Sequence, residues 1–197
     1  NPTEENADLS ISASADWTGS AVVTVTATDS DGQSDVEQFQ LTVNNVNDAP
    51  VLAEMGPWET DEDVPLTVTL FADDIDTDNS SLVYSANNGD GVVSIIINGA
   101  EMTLVPDNDF NGETGIYVNV EDGETGEGQG FTLTVQPVND APLLAGIDSV
   151  TMDEDTSHEI LINPSDVDAE ELNISISVGN TTLFPDGSVT VSPDPAP

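Results

Sequence analysis

The sequence predicts an all-β fold made of Ig-like β-sandwich repeats in tandem, and three observations lead to that prediction. Short runs of apolar and β-branched residues recur along the chain, many of them with strict alternation. Turn dipeptides of the Asp-Gly or Asn-Gly type separate the runs. Helical periodicity is nowhere sustained, so the spacing of runs and turns favours a sandwich with about seven strands per repeat.

The predicted strands follow one another in chain order, each bounded by a turn signal. The runs are AVVTVTA (21–27), QFQLTV (38–43), LTVTLF (66–71), VVSIII (92–97), GIYVNV (115–120), FTLTV (131–135) and LNISISV (172–178). The turn signals are Asp31-Gly32, Asn88-Gly89, Asn98-Gly99, Asn111-Gly112, Asp122-Gly123 and Asp186-Gly187. A run of this length with alternating side chains buries one face of a strand.

An internal repeat sets the domain organisation. The pentapeptide VNDAP at 46–50 recurs at 138–142, 92 positions later, and an Asp-Glu-Asp run and an Asp-x-Asp motif recur in the same register. Three domains follow: residues 1–45 match the C-terminal half of a repeat, residues 46–138 form one complete repeat, and residues 139–197 match the N-terminal half of the next.

The two partial repeats are complementary pieces of one sandwich. Half a sandwich exposes its apolar face and its unpaired strand edges, so it needs a partner. One hypothesis is that the opposite half of a neighbouring identical chain completes each half, which would give a head-to-tail fibre. The other is that flanking sequence of a longer chain supplies the missing strands.

The charge excludes several classes of partner. The chain of 197 residues has 39 Asp plus Glu and neither Lys nor Arg, so its formal net charge is -39. Without a basic side chain we expect no nucleic acid partner and no attraction to anionic membrane surfaces. No apolar stretch reaches the roughly 20 residues that span a bilayer, and the first residues lack the pattern of a signal peptide. The natural counter-ligand is a cation, and without Cys it would be a hard, oxygen-bound one.

Alternating carboxylates in the predicted loops are suited to such a cation. Asp74-x-Asp76-x-Asp78 and Asp166-x-Asp168 can direct oxygens to a common calcium ion. Neither motif is an EF-hand, because the loop that starts at Asp74 lacks the Gly and the Glu required at its sixth and twelfth positions. The alternative is that these loops are only a solvated, halophile-like acidic surface.

The VNDAP junctions followed by an Asp-Glu-Asp run resemble the cadherin-like tandem repeats of large secreted bacterial adhesins. The resemblance covers the whole chain and implies an elongated rod with calcium between successive domains. Around residue 139 it implies the ligands Glu62, Asp107, Asp109, Asn139, Asp140, Asp166 and Asp168. Around residue 47 it implies Asp16, Asn47, Asp48, Asp74, Asp76 and Asp122.

Other chemistry has little support in the sequence. His158 follows Ser157, but neighbours in an extended chain point in different directions and no strand-to-helix elbow surrounds the Ser, so we expect no enzyme. Trp58 is the better candidate for a sugar-stacking platform because it has no counterpart in the following repeat, although packing is the simpler interpretation.

The resulting hypothesis is a non-enzymatic, calcium-stiffened module of a bacterial adhesin at the cell surface or secreted. Its partners would be neighbouring repeats or identical chains, and a polysaccharide or protein of a surface or matrix. Two alternatives stay open: a self-assembling extracellular fibre subunit, and a carbohydrate-binding module of a secreted enzyme.

Overall fold

The all-β prediction is confirmed by a computed structural model, which describes residues 7–168, 171–185 and 187–192. The outermost parts of the two predicted partial repeats, 1–6 and 193–197, and the turn residue Asp186 lie outside the described residues. The regular elements of the described chain are β-strands and one short 3-10 helix, and none of its helices is long and apolar enough to cross a membrane. The chain divides into two units, residues 1–136 and 137–197, and each is described by itself.

The strands are numbered in chain order. The first unit contains β1 (Gly19–Thr28), β2 (Ser34–Val43), β3 (Val51–Leu52), β4 (Trp58–Asp61), β5 (Leu66–Thr69), β6 (Ala72–Asp73), the 3-10 helix (Asn79–Ser81), β7 (Val83–Asn88), β8 (Val93–Asn98), β9 (Glu101–Pro106), β10 (Gly112–Glu121) and β11 (Gly126–Gln136). The second unit contains β12 (Leu143–Leu144) and β13 (Pro164–Ser165).

Strands β3 to β11 form what we call the central sandwich. One sheet has the order β4-β11-β10-β7, the other has the order β5-β9-β8, and β3 pairs with β6. All pairs are antiparallel except β4 with β11, which is parallel. Alternate residues of each strand point inward, so the two sheets enclose one hydrophobic core. The fully buried side chains of that core include Leu70, Met102, Leu104, Ile116, Val118, Val120, Leu133 and Val135.

The hairpin β1–β2 is a copy of β10–β11 without the rest of the sandwich. Gly19 pairs with Val43 as Gly112 pairs with Val135, and each hairpin has ten residue pairs in the same register. The burial differs sharply, because Phe39 is 41% exposed whereas its counterpart Phe131 is 9% exposed. The hairpin therefore carries a core face that is not covered.

The second unit repeats the start of the central sandwich. Leu143 pairs with Ser165 and Leu144 with Pro164, in the register of the β3–β6 pair. None of its described residues is buried. The predicted strand at 172–178 is wrong for this structure, which has no strand there. Its counterpart β7 is held by backbone pairing with β10, and an extended segment without such a neighbour leaves its backbone groups unpaired.

Five strands of the central sandwich, β3, β4, β6, β7 and β9, lie outside the predicted runs. Strand β4 has the sequence WETD and β7 has VYSANN, and both are poorer in apolar residues than the predicted runs. They form because β11 and β10 offer paired edges along which each can lie. Trp58 then packs edge to face against Phe131, with ring centroids 4.5 Å apart.

Candidate metal-binding loops

Loops of the central sandwich bring together five of the six ligands predicted around residue 47, all except Asp16. The backbone N–H of Asp48 donates to Oδ2 of Asp76 over 2.7 Å. The side-chain amide of Asn47 donates to Oδ2 of Asp122 over 2.7 Å and to Oγ1 of Thr125 over 3.0 Å. The linker, the Asp-x-Asp loop before the 3-10 helix and the β10–β11 turn therefore meet at one place, which we call the linker loop cluster (Asn47, Asp48, Asp74, Asp76, Asp122 and Thr125).

Asp74 organises the Asp-x-Asp loop through one carboxylate oxygen. Its Oδ1 accepts hydrogen bonds from the backbone N–H of Asp76 at 2.8 Å and of Thr77 at 2.7 Å. Its Oδ2 is buried and accepts no hydrogen bond from any described residue. A buried carboxylate oxygen without a donor is costly in a folded protein, and a bound cation is one way to satisfy it.

Asp122 is held as an anion by its own turn. Its Oδ1 accepts hydrogen bonds from the backbone N–H of Thr125 and of Glu124, each at 2.7 Å. The backbone hydrogen bond from Thr125, followed by the side-chain hydrogen bond from Asn47 and the backbone hydrogen bond from Glu124, lowers the pKa of Asp122 well below its usual value. The group is therefore ionised and pre-oriented at neutral pH.

The second unit contains its own version of this arrangement. The backbone N–H of Asp140 donates to Oδ2 of Asp168 over 2.6 Å, and the backbone N–H of Asp168 donates to Oδ1 of Asp166 over 2.9 Å. The Asn139 side chain donates to the carbonyl of Asp140, as Asn47 does to that of Asp48. A carboxylate oxygen of Asp140 lies within 4.8 Å of one of Asp168.

A second acidic group lies within the first unit, around Glu62. That side chain is only 3% exposed, and its Oε2 accepts a long hydrogen bond of 3.4 Å from the Asn111 amide. The backbone N–H of Asp109 donates to Oδ1 of Asp63 at 3.3 Å, and carboxylate oxygens of these two residues lie within 4.8 Å of one another. Asp107 begins the same turn, because its carbonyl accepts the N–H of Phe110.

Four aspartates, in the turns of this acidic group and in the repeat-related turns, have a left-handed backbone conformation. Asp63 and Asp109 have φ of 58° and 57°, and the repeat-related Asp155 and Asp16 have φ of 59° and 58°. Asp is among the few non-glycine residues that tolerate this region. Asp16 thus has the same local geometry as Asp109, while its place in the ligand set around residue 47 stays a prediction. The set around residue 139 draws on both units and also stays a prediction.

Three residues of these groups were missed by the sequence analysis. Asp63 had a visible signal, since it belongs to the Asp-Glu-Asp run of which only Glu62 was chosen. Asn111 had a weaker signal, as the first residue of the Asn111-Gly112 turn dipeptide, two positions after Asp109. Thr125 had none, because its contacts with Asn47 and Asp122 depend on a turn and a linker 78 residues apart.

The remaining candidates of the sequence analysis lie elsewhere. Trp58 is partly buried and packs on the core through Phe131. His158 is exposed in the second unit, in a segment without regular structure. Neither residue contributes to the hydrogen bonds of the acidic groups described above.

Several solved structures are similar to this chain. The extracellular cadherin domains 1-4 of protocadherin gamma B7 match with 20% identity and a TM-score of 0.49, over 76% of this chain and 41% of that one. Mouse clustered PcdhgC3 domains EC1-3 match with 23% identity and a TM-score of 0.43, over 62% of this chain and 44% of that one. An endo-fucoidan hydrolase from glycoside hydrolase family 107 matches with 17% identity and a TM-score of 0.36, over 62% of this chain.

This chain spans less than half the length of each of these three structures, and only 19% of that hydrolase. Comparison with curated protein sequences gives no significant match. Among protein families, the model of the bacterial Ig domain matches residues 47–136, and these residues include the whole central sandwich. Residues 47–136 therefore form an Ig-like domain that is similar to the bacterial Ig domain.

Proposed function

We propose that this chain is a non-enzymatic extracellular module of a bacterial adhesin, and that calcium bound in its linker loops stiffens the connection between repeats. The observation that carries the proposal is the buried Oδ2 of Asp74, which accepts no hydrogen bond from any described residue and belongs to a cluster of carboxylates. The match of residues 47–136 to the bacterial Ig domain supports an extracellular or surface location.

The ligand chemistry of the linker loop cluster suits calcium. Calcium takes six to eight oxygens from carboxylates, amide carbonyls, backbone carbonyls and water. Asp74, Asp76 and Asp122 would supply carboxylate oxygens. Asn47 uses its N–H groups on Asp122 and Thr125, which leaves its amide oxygen available as an acceptor. The chain has no thiol that would favour a softer metal.

Electrostatics supports the same conclusion. With a net charge of -39, every loop that gathers carboxylates adds repulsion, and no Lys or Arg exists to offset it. A divalent ion that bridges the linker to the Asp-x-Asp loop would turn this repulsion into attraction. Because the linker precedes the first strand of the domain, the ion would restrict the linker at the point where a preceding repeat joins.

The finer parts of the proposal rest on the resemblance to cadherin-like adhesin repeats. They are the second ligand set (Glu62, Asp107, Asp109, Asn139, Asp140, Asp166 and Asp168), the membership of Asp16 in the first, and a partner that is a polysaccharide or protein of a cell surface or matrix. The buried carboxylate of Glu62 supports the second set, since a charge of that kind is retained when it is paired or bound to a metal.

Calcium titration with thermal unfolding tests the proposal at constant ionic strength. A ligand that binds only the folded state stabilises it by about 2.7 kcal/mol at a hundred times its Kd. We expect a saturable rise in Tm with calcium. The Asp74→Asn variant should lose most of the rise, because it removes charge from the buried oxygen.

Glu101→Gln is the matched control, because it removes one charge from an exposed strand position of the same sandwich. It should keep the full calcium response. A response that magnesium reproduces at equal concentration, or that Asp74→Asn and Glu101→Gln share equally, would mean general screening and would exclude this site.

A further inference from the structure

The outer face of the sheet β4-β11-β10-β7 carries an aromatic side chain near its centre. Tyr117 of β10 faces away from the core and is 47% exposed. Its partners across the sheet are Asn87 of β7 and Gly130 of β11. The next outward row has Asn119 at its centre, two residues further along β10. We call these two rows the tyrosine platform (Ser85, Asn87, Tyr117, Asn119, Gly128 and Gly130).

The Tyr117 ring lies over two glycines of β11. A Cβ on Gly128 would lie 2.6 Å from both Cε1 and Cζ of the ring, closer than real Cβ atoms approach, and one on Gly130 would lie 3.6 Å from Cδ2. Because a Cβ at these outward positions points away from the sheet, the ring occupies the space directly above the β11 backbone. The ring is therefore laid down along the strand, with one side against the sheet and the other toward solvent.

The strand pairing itself does not require these glycines. The hairpin β1–β2 has the same register, with Thr24 at the tyrosine position and Gln38 and Val36 at the two glycine positions. There the Gln38 amide donates to Oγ1 of Thr24 over 3.1 Å. Glycine within a strand weakens it, and it often marks a site where a ligand or another backbone approaches closely. The glycines of the platform therefore indicate a use for this flattened surface that the hairpin lacks.

The platform presents an aromatic ring and uncharged polar groups. Asn87 is exposed and makes no side-chain hydrogen bond to another described residue. The amide N–H of Asn119 donates to Oε1 of Glu121 over 3.0 Å, which leaves its carbonyl oxygen available as an acceptor. On the same face of β10 the carboxylates are Glu113 and Glu121, near the two ends of the strand and outside both rows. A flat ring with amides and a hydroxyl beside it suits a sugar, which has an apolar C–H face and a rim of hydroxyl groups.

Charge and shape favour an uncharged sugar polymer as the occupant. A chain with a net charge of -39 and neither Lys nor Arg repels an anionic polysaccharide. A protein partner is less well matched, because protein interfaces are anchored by clusters of buried apolar and aromatic side chains, and the platform has one ring. Further along the same face of β10, a Cβ on Gly115 would meet nothing within 4 Å. A sugar chain can therefore continue past Tyr117 along the strand.

We propose that the tyrosine platform binds an uncharged polysaccharide. One sugar ring would stack on the solvent side of Tyr117, and the amides of Asn87 and Asn119 would form hydrogen bonds with its hydroxyl groups. The platform shares no residue with the linker loop cluster and needs no calcium. It gives the adhesin module a partner of stated chemistry, and only the interpretation of this binding as adhesion rests on the proposed function.

Affinity electrophoresis in the presence of a chelator tests the proposal apart from any effect of calcium. The native gels contain hydroxyethyl cellulose, dextran or galactomannan as uncharged probes, or alginate as an anionic probe. We expect at least one uncharged polymer to retard the wild-type chain, and Tyr117→Ala to weaken the apparent affinity by about tenfold. Asn87→Ala should weaken it severalfold without a change in Tm, because the exposed side chain has no structural partner. Asn98→Ala, at an exposed position of the other sheet, is the matched control and should bind like wild type.

Two glycine variants test the orientation of the ring. Gly128→Ala places a methyl group where the Tyr117 ring lies, so it should displace the ring and weaken binding by about tenfold. Gly130→Ala adds only an ordinary contact with the ring and should bind like wild type. Equal losses in the two variants would show that binding does not depend on the orientation of the ring and would overturn the site.

Three other results would also overturn the proposal. They are a wild-type chain that no uncharged polymer retards, retardation by alginate alone, and Tyr117→Ala and Asn87→Ala variants that bind like wild type. The calcium-dependent rise in Tm is measured separately and involves other residues. A failure of sugar binding and a failure of the calcium site are therefore distinguishable.

Discussion

The backbone N–H of Asp48 lies 2.7 Å from Oδ2 of Asp76, a hydrogen bond that ties the linker to the Asp-x-Asp loop. Ninety-two residues later, Asp140 and Asp168 make the same hydrogen bond at 2.6 Å. The two units thus build the same loop geometry from the same motif, and each Asp-x-Asp loop holds its second carboxylate through the linker backbone. This leaves carboxylate oxygens of both loops oriented before any ion binds, which reduces the entropy cost of binding one.

The linker Asp of the second unit should contribute to calcium binding. We expect Asp140→Ala to lower the calcium-dependent rise in Tm, because it removes a carboxylate within 4.8 Å of that of Asp168 and keeps the backbone hydrogen bond. Calorimetry with and without calcium measures the change. The equivalent substitution Asp148→Ala, at an exposed position of the same unit, is the control. An unchanged calcium response in Asp140→Ala would remove Asp140 from the ligand set.

The effect of Glu62→Gln on the Tm should depend on whether calcium is present. The side chain of Glu62 is almost fully buried and stands between Asp61 and Asp63 in the sequence, so Glu62→Gln should raise the Tm of the calcium-free protein by relieving the cost of burying a charge. The same change should reduce the increase in Tm that calcium gives. Thermal melts of both proteins in chelator and in calcium therefore test it. A loss of stability in chelator would show that the charge is satisfied without a metal.

Two glycines with nearly the same φ should respond differently to a methyl group. Gly56 and Gly99 have φ of 59° and 60°, but a Cβ on Gly56 would lie 2.9 Å from Cβ of Phe131, whereas one on Gly99 meets nothing within 4 Å. Gly99→Ala should cost about 1 kcal/mol from left-handed strain alone. Gly56→Ala should cost a further 1 to 3 kcal/mol, roughly the effect of overpacking. Urea unfolding compares them, and equal losses would refute the close packing of Gly56 on Phe131.

Asp90 provides a test of pH dependence away from the acidic clusters. The hydrogen bond from Thr114 Oγ1, at 2.8 Å to Oδ2, lowers the pKa of Asp90. A lowered pKa in the folded state stabilises the protein above the ordinary value of 3.8, and the effect is lost as the pH falls through the folded pKa. We therefore expect wild type to be more stable than Asp90→Asn at pH 7, and the difference to shrink below about pH 4.

The control variant is Asp35→Asn, at an exposed position of β2. It measures the change in stability that comes from the general relief of charge repulsion when one carboxylate is removed. The quantity to compare is the difference in Tm between each variant and wild type at pH 7 and at pH 2.5. If the two variants changed in parallel over this interval, the Thr114 hydrogen bond would have no part in the acid response.

A Trp58→Ala variant distinguishes a packing role of Trp58 from a role in sugar binding. The Trp58 ring packs against Phe131, so Trp58→Ala should destabilise the first unit by about 3 kcal/mol. Migration in a polysaccharide-containing gel should be the same for wild type and for the variant at a temperature where both are folded. Retardation of wild type that Trp58→Ala abolishes would instead favour the carbohydrate-binding alternative.

Local patterns in the sequence were sufficient for much of the site. The Asp-x-Asp motifs, the linker Asn-Asp pairs and the Asp-Gly turn at Asp122 are short segments whose geometry depends on neighbouring residues, so their recurrence after 92 positions was informative. The contacts from Asn47 to Asp122 and from Asn111 to Glu62 connect segments far apart in the chain. Only the folded sandwich brings such segments together.

The sequence by itself determined the all-β class, the alternation of the long strands and the register of the repeat, because side-chain direction in a strand depends only on position along it. The tertiary structure decided which repeats of that pattern become a core. Leu41 and Leu133 occupy the same hairpin position, yet only Leu133 is fully buried, and the segment 172–178 lacks the strand formed by its counterpart β7. Burial and strand pairing are properties of a neighbour, and the neighbour is supplied by residues remote in sequence.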